Sequence, residues 1–437
     1  MRIGGSRRRA TIVVMPAPLA APEAMLGALP AEPGVLWAPP GGPTFSGAGV
    51  AARLDVGESG VPALRDRGRS LLAGAMVFGS PVESLAVPRL IGGLAFDPRR
   101  RGDARWRGFG AGTFILPRWT YVSDGRSAWL LLAVADPAQL RSARVLGQCR
   151  LIERALAGGG ALERARRAGR VRLESRGVEP FERAVAGVLD GIRRGRHEKI
   201  VLARRVGLRS FAPFDPIAAL ARLSFAQPRS FRFALRLGGA TFLGASPERL
   251  VRKAGALAET EALAGSSPPT PAGERALRSS KKDADEHALV VRAVRMALAP
   301  HCRAIRAPAR PAIRSLPGIR HLWTPVRGAL RDTAHVLDLV AALHPTPAVG
   351  GFPRGPALRF LARHEEPRGW YAGAFGWFDA SGDGEFAVAI RSGLVRGRRA
   401  DLWAGAGVVA GSMASAEIDE IDRKLGTMLD ALGVERS

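Results

Sequence analysis

The sequence predicts an α+β fold built on antiparallel sheet. Apolar runs of strand length recur in pairs, long stretches of helical periodicity stand among them, and no 20–50-residue repeat is present. The 437 residues could form two or three ordinary domains or one large unit, and a hydrophobic fraction of 46% supplies a substantial core.

Taken in order, residues 1–65 are rich in Pro, Gly and Ala with short apolar runs, which predicts strands and loops. Basic residues precede "ATIVV" as in an export signal, but Pro16, Pro18 and Pro22 interrupt any apolar helix, so a first strand and a cytoplasmic location are expected. "SAWLLLAVADP" (127–137) reads as a buried strand and 137–158 as an amphipathic helix. The polar stretch 158–177 reads as a joint, 178–196 as a helix ending at glycine, and "KIVLARRVGL" as a strand. "SFRFALRL" and "ATFLGASPERLVRK" are further strands. Residues 279–298 form a strong helix whose expected apolar face is Ala288, Val291, Val294, Met296 and Leu298. The segment 370–409 reads as a β-meander with "ASGDG" as a tight turn, and a helix follows.

A formal charge of +26 invites a phosphate-binding reading, yet the arginines are scattered and no nucleic-acid motif accompanies them. No nucleic-acid partner is expected. Only five of the 65 basic residues are lysine, so a lysine within a motif is a candidate for a place where arginine would not serve. Two isolated cysteines give neither a disulfide framework nor thiol-metal spacing, and the longest apolar runs are too short to cross a membrane.

Against this background "SAEIDEIDRKLGTML" (415–429) is unusual in its acidity. On a helix, Ile418, Ile421, Leu425, Met428 and Leu429 share one stripe, flanked by Glu417, Glu420 and Lys424, while Asp419 and Asp422 point elsewhere. From the helix alone, a surface helix with a Glu420–Lys424 pair is the preferred explanation, and it is the surrounding segments that shift the balance. A second helix offers Glu286. Two glutamates from separate helices without thiols suit a hard cation such as Mg²⁺, and the preceding "WAGAGVVAGS" offers close backbone approach for an anion.

Eight blocks occurring in one order carry a family resemblance: "KIVLARRV", "FLGASPERLV", "EALAGS", "SSKKDADEHALVV", "HLWTPVRGAL", "LHPTPAVGGFPRGPAL", "RGWYAGAFGWFDASGDGEFAVAIRSGLV" and "AGAGVVAGS" with "AEIDEIDRKL". The chain resembles the chorismate-utilising enzymes and, among them, the isochorismate synthases. The resemblance is dense from about 180 to 430 and thinner upstream, through "IGGLAFDP" and "WRGFGAGTFILPRW". It implies a single large chorismate-binding fold, with two packed antiparallel sheets and helices outside. Residues 1–175 would be a strand-rich part of the same body and 176–435 the catalytic region.

The resemblance also implies roles. Lys199 matches the base that activates water for attack at C2 of chorismate, which requires a depressed pKa, and Glu248 matches the acid that protonates the departing C4 hydroxyl. Glu286 and Glu420 match the Mg²⁺ ligands, with Glu417 and Asp283 in support. Gly265, Ser266, Gly405 and Gly407 would present N–H groups to carboxylate oxygens. Arg391 with Tyr371 matches the grip on the enolpyruvyl carboxylate, and His321 and Lys424 match further substrate positions. Menaquinone or siderophore biosynthesis is the expected setting, with a monomer and no glutaminase subunit.

Ammonia-using relatives typically have glutamine in place of Lys199, and some carry a nucleophilic lysine where this chain has Ala264. Salicylate synthases have threonine where this chain has Ala348. Both points favour isochorismate as product, with salicylate synthase the alternative and a basic nucleic-acid-binding protein on a retained fold a remoter one. Between "LAGS" and "SSKKDADEH" the chain has a short "SPPTPAGERALR" where the resemblance implies a longer, basic insert.

Overall fold

In the computed structural model, residues 10–79, 85–100, 103–158, 171–175, 178–331 and 334–434 are described. The N-terminal basic run and most of the polar stretch 158–177 lie outside them. Two large sheets dominate. The first runs, from edge to edge, Val171–Ser175, Lys199–Ser210, Arg399–Val408, Ser392–Arg396, Ala240–Ser246, Phe231–Leu237, Gly34–Ala38, Thr44–Ala48, Trp119–Ser123, Ala128–Val134, Thr11–Pro16 and Met76–Gly79. The short strand Gly351–Phe352 joins beside Lys199. The second runs Cys302–Arg306, Ile319–Leu330, Leu257–Ser267, Arg249–Ala254, Gly384–Val388, Ala374–Phe378, Leu90–Leu94, Gly112–Leu116 and Ala52–Asp55, with Ala312–Leu316 also on Ile319–Leu330. Both sheets therefore take strands from either side of residue 176.

Aromatic side chains join the sheets. Phe375 of the second stacks on Phe233 of the first, with centroids 4.9 Å apart, and lies 6.4 Å from Trp37, while Phe45 meets Trp377 edge-on. Such residues bring large buried area at a specific geometry, and all five except Trp377 are fully buried.

Several expectations need correction. Residues 1–65 contain a helix, Glu23–Ala28, and the start of another, Gly60–Ala73, whose buried Leu64, Gly68 and Leu72 recur every four positions. The polar joint contains the edge strand Val171–Ser175, paired with Lys199–Ser210. Thr11–Pro16 pairs parallel with Met76–Gly79, a departure from wholly antiparallel sheet. "PAQLRSARVLGQCRLIERALAG" breaks at Ser142, which caps the true helix Ala143–Ala157. On the helix Lys281–Leu298 the buried face is His287, Val290, Val294 and Leu298, with Leu289 beside it; Ala288 and Met296 are exposed. The helical spacing from His287 selects that face, and Met296 falls opposite it. "SPPTPAGERALR" holds the helix Pro271–Ser279, capped by the Thr270 hydroxyl and anchored by buried Leu277.

Candidate active site

Strand geometry decides what enters the cavity between the two sheets. On Lys199–Ser210, Lys199 and Val201 face it; on the neighbouring Arg399–Val408, Trp403, Gly405 and Gly407 do so at the same period of two. Lys199 is 1% exposed, with Nζ donating to Glu286 Oε1 at 2.7 Å. A Cβ on Gly407 would sit 2.9 Å from Lys199 Cε and 3.2 Å from Glu286 Oε1, so glycine is what clears room for that pair. Gly407→Ala is accordingly expected to lower kcat/KM on the order of 10²-fold by displacing the amine. Its Tm should move little, because flexible side-chain ends absorb the clash; steady-state kinetics beside thermal unfolding checks both.

Backbone donors arise on the same strand. Val201 N–H goes to the Gly350 carbonyl and Ala203 N–H to Glu365, so neither points into the ladder with Arg399–Val408. Their partners across the ladder are Gly407 and Gly405, which make non-hydrogen-bonded pairs with them and turn their own N–H and C=O groups outward. The Gly405 carbonyl accepts from Lys424 Nζ at 2.9 Å on that edge, which leaves the N–H groups for an incoming anion.

The second sheet contributes a bulge. Pairing of Leu257–Ser267 with Ile319–Leu330 slips between Ala264 and Ser266, and Gly265 takes the positive φ of 73° that the slip requires. A Cβ there would also press on Asp283, which is how the acidic helix Lys281–Leu298 comes so near. Gly265 and Ser266 both line the cavity. The Gly265 carbonyl accepts from His321 Nδ1 at 3.0 Å, placing the ring hydrogen on that nitrogen, and Ser266 Oγ lies 3.1 Å away. Burial, with Arg391 and Lys424 nearby, pulls His321 down to about 3 and keeps it neutral.

Glu248 follows the end of strand Ala240–Ser246 and is 4% exposed. Burial first, and then the charge of Glu261, pushes its carboxyl up to about 8. At neutral pH it is a protonated acid. Arg391 has a positive φ of 50° and Ala372, also in the lining, one of 57°; strained backbone in two non-glycine residues therefore meets at this site. Burial pulls the Arg391 guanidinium below its usual value, and it makes no ion pair among the described residues. Burial also pushes the Tyr371 hydroxyl up to about 12, while its ring stacks on Trp403.

From the two acidic helices come Glu286, Glu420 and Lys424. Lys424 Nζ meets Glu420 Oε1, and although burial alone would raise Glu420, that neighbour holds it below the usual carboxylate value. Glu417 is buried outside the cavity lining, 3.6 Å from Lys282, and burial raises it, with Glu420 and Glu286 adding repulsion against a bond from Ser412. Asp419 and Asp422 are exposed, the latter paired with Arg204. Among the described residues no three His, Cys, Asp or Glu side chains gather closely enough to hold a metal ion. The donor set nevertheless fits a hard divalent cation: Glu286, Glu417 and Glu420 are all carboxylates, and each leans on a lysine whose charge a cation could replace.

Every candidate from the sequence except Glu417 and Asp283 thus lines one cavity of about 760 Å³, measured out to its open mouth. Sequence reasoning missed Arg368 and Trp403 in its wall. Arg368 donates to Glu365 and to the Val201 and Val349 carbonyls, so it braces the lining; "EEPRGW" contains Glu365 but gave no sign of the two carbonyls. Among the described residues no helix is long and apolar enough to cross a membrane.

The family model described as chorismate binding enzyme matches residues 7–433. The chain is 37% identical over 370 residues to a salicylate biosynthesis isochorismate synthase of Pseudomonas aeruginosa, covering 80% of this chain and 75% of the relative. It is 34% identical over 366 residues to the isochorismate synthase MenF of Bacillus subtilis, with the same shares covered. The solved menaquinone-specific isochorismate synthase MenF of Escherichia coli superposes with a TM-score of 0.80 at 25% identity, over 97% of this chain and 94% of that one. With a family model spanning nearly its whole length, this chain belongs to the chorismate-binding enzymes.

Proposed function

We propose that the protein is an isochorismate synthase, an isomerase that converts chorismate to isochorismate. One observation carries this reading: a buried amine, Lys199, and a buried carboxyl that stays protonated through neutral pH, Glu248, line a single cavity. Water is a poor nucleophile and hydroxide a poor leaving group, so the exchange needs both a base and an acid. Lys199 takes a proton from the water that attacks C2, the ring double bond shifts, and Glu248 protonates the C4 hydroxyl as it leaves. One water enters and one departs, so the net reaction is an isomerisation. Once Glu248 has given its proton and Lys199 has gained one, transfer back through solvent resets the pair.

Arg391 and Tyr371 suit the enolpyruvyl carboxylate, a planar anion for a planar fork. The outward N–H groups of Gly405 and Gly407 and the bulge at Gly265–Ser266 suit carboxylate oxygens. Glu286 and Glu420, supported by Glu417, would hold Mg²⁺, which when bound supplies charge to orient the ring carboxylate. Lys199 beside Ala264 favours water over ammonia, so no amide-donor subunit is needed, and Ala348 in the lining favours release of isochorismate before pyruvate is lost.

Chelation should abolish turnover and added Mg²⁺ should restore it. In Glu286→Ala the Mg²⁺ concentration for half-maximal rate should rise by more than the roughly 10–100-fold that loss of an outer-shell partner costs. Unchanged turnover in excess chelator would remove the metal from the mechanism.

A further inference from the structure

The sequence marked Glu261 only as the first letter of "EALAGS", yet its carboxylate is 6% exposed and fully engaged. Oε1 accepts the backbone N–H of Arg249 at 2.9 Å and Arg314 Nη1 at 2.8 Å, and Oε2 accepts Trp323 Nε1 at 2.7 Å. Arg314 Nη1 also donates to the Pro247 carbonyl at 3.3 Å, and its guanidinium lies over the Trp323 ring, 4.6 Å from the centroid. Pro247 and Arg249 are the two chain neighbours of Glu248. One carboxylate–guanidinium pair therefore holds the peptide groups on both sides of the residue that would donate the proton. The remaining backbone groups of Glu248 are tied as well: its N–H donates to Ser246 Oγ at 3.2 Å and its carbonyl accepts from Val388 N–H at 3.1 Å.

We propose that Glu261, together with Arg314, is the positioning element of the acid: the pair seats Glu248 against the cavity, and the charge of Glu261 sets the field at its carboxyl. The inference rests on the reading of Glu248 as general acid. An extended strand leading into Pro247 would otherwise leave this segment free to shift, and a misplacement of about 1 Å can cost on the order of 10²-fold in rate. The seat also explains a local irregularity, since the register of Arg249–Ala254 against Gly384–Val388 slips between Arg249 and Val251, where the backbone turns to meet Glu261.

The charges around Glu248 are Glu261, which favours its neutral form, and Lys199, Lys424 and Arg314, which favour its anion; after burial, Glu261 is the strongest of these influences. A carboxylate close to the acid resists loss of the acid's proton, and in a buried site that resistance is large.

The two partners thus act on Glu248 with opposite sign, which makes the test specific. Removing the negative charge in Glu261→Gln lets Glu248 ionise at lower pH, so the falling alkaline limb of kcat/KM moves to lower pH. Activity at pH 8 then drops roughly fivefold further than at pH 6, the factor that a downward shift of about one unit from about 8 produces. Removing the positive charge in Arg314→Met moves the same limb to higher pH while lowering kcat through the loosened seat. Folding of each variant is checked by near-UV circular dichroism, and should Glu261→Gln not fold, the upward shift in Arg314→Met decides alone. Limbs that stay put, or that move in the same direction in both variants, would overturn the inference and leave the pair a structural brace. Glu248→Gln is assayed alongside: if it retains full turnover, the reading of the acid fails, whereas an inactive Glu248→Gln beside unmoved limbs isolates the failure to Glu261.

Discussion

Replacing Lys199 by alanine is expected to lower kcat by roughly 10²–10⁴ while substrate affinity changes little, the signature of a group that acts in the transition state. Of the two lysines in the cavity lining, Lys199 is the one with a fully buried side chain, and its Nζ touches the carboxylate of Glu286 on the helix Lys281–Leu298. Lys199→Arg should fail as well, because guanidinium cannot shed a proton to accept one from water. Pre-steady-state binding of substrate beside steady-state turnover separates the two effects. A variant that loses affinity and keeps kcat would make Lys199 a substrate-holding cation. Loss of the amine also strands Glu286 without its partner at 2.7 Å, so the alanine variant should lose some thermal stability too.

Glu248→Gln carries the second largest expected loss, again roughly 10²–10⁴ in kcat, since an amide cannot supply the proton. The pH dependence is distinctive. The carboxyl is protonated below about 8, so wild-type activity should fall as pH rises through that value, and the residual activity of the glutamine variant should lack that limb. Stability follows the same group. A carboxyl raised from 4.5 to about 8 gives stability that is fully present below 4.5 and is lost as pH climbs through 8. Glutamine has no such loss. The variant should therefore gain on wild type between pH 5 and pH 9, by on the order of a few kcal/mol, in paired urea titrations.

How much of this could be read beforehand depends on the range of the interaction. Elements announced by their own periodicity were legible, among them the buried strand Ala128–Val134, the turn between Ala374–Phe378 and Gly384–Val388, and both acidic helices. The face of Lys281–Leu298 was misjudged because Met296 is apolar yet 61% exposed, whereas His287 is polar yet buried against the Thr324 hydroxyl. Hydropathy cannot foresee a polar side chain that finds its partner in another strand. Val171–Ser175 alternates Val, Arg, Leu and Glu, a period of two that was present but masked by the polar, arginine-rich stretch around it. The parallel pairing of Thr11–Pro16 with Met76–Gly79 had no local signal at all.

The site divides in the same way. Lys199, Glu248, Glu286, Arg391 and Glu420 come from five separated segments, and no helix or strand pattern says that they share a cavity; only the ordered motifs did. Trp403 and Glu261 escaped because each acts through residues elsewhere along the chain, and Arg368 because two of its three partners lie far from it in sequence. The pairing of Lys199 with Glu286, base against metal-ligand candidate, was likewise visible only in three dimensions.

The decisive measurement is to incubate the purified protein with chorismate and Mg²⁺ in ¹⁸O-enriched water, then separate the products by chromatography and identify them by mass. Isochorismate carrying one solvent oxygen, formed by wild type and lost in Lys199→Ala, is the expected result. Isochorismate without solvent oxygen would contradict water activation by Lys199. Salicylate with pyruvate would show that the cavity completes the elimination despite Ala348, and no turnover by the folded protein would contradict the enzymatic reading itself.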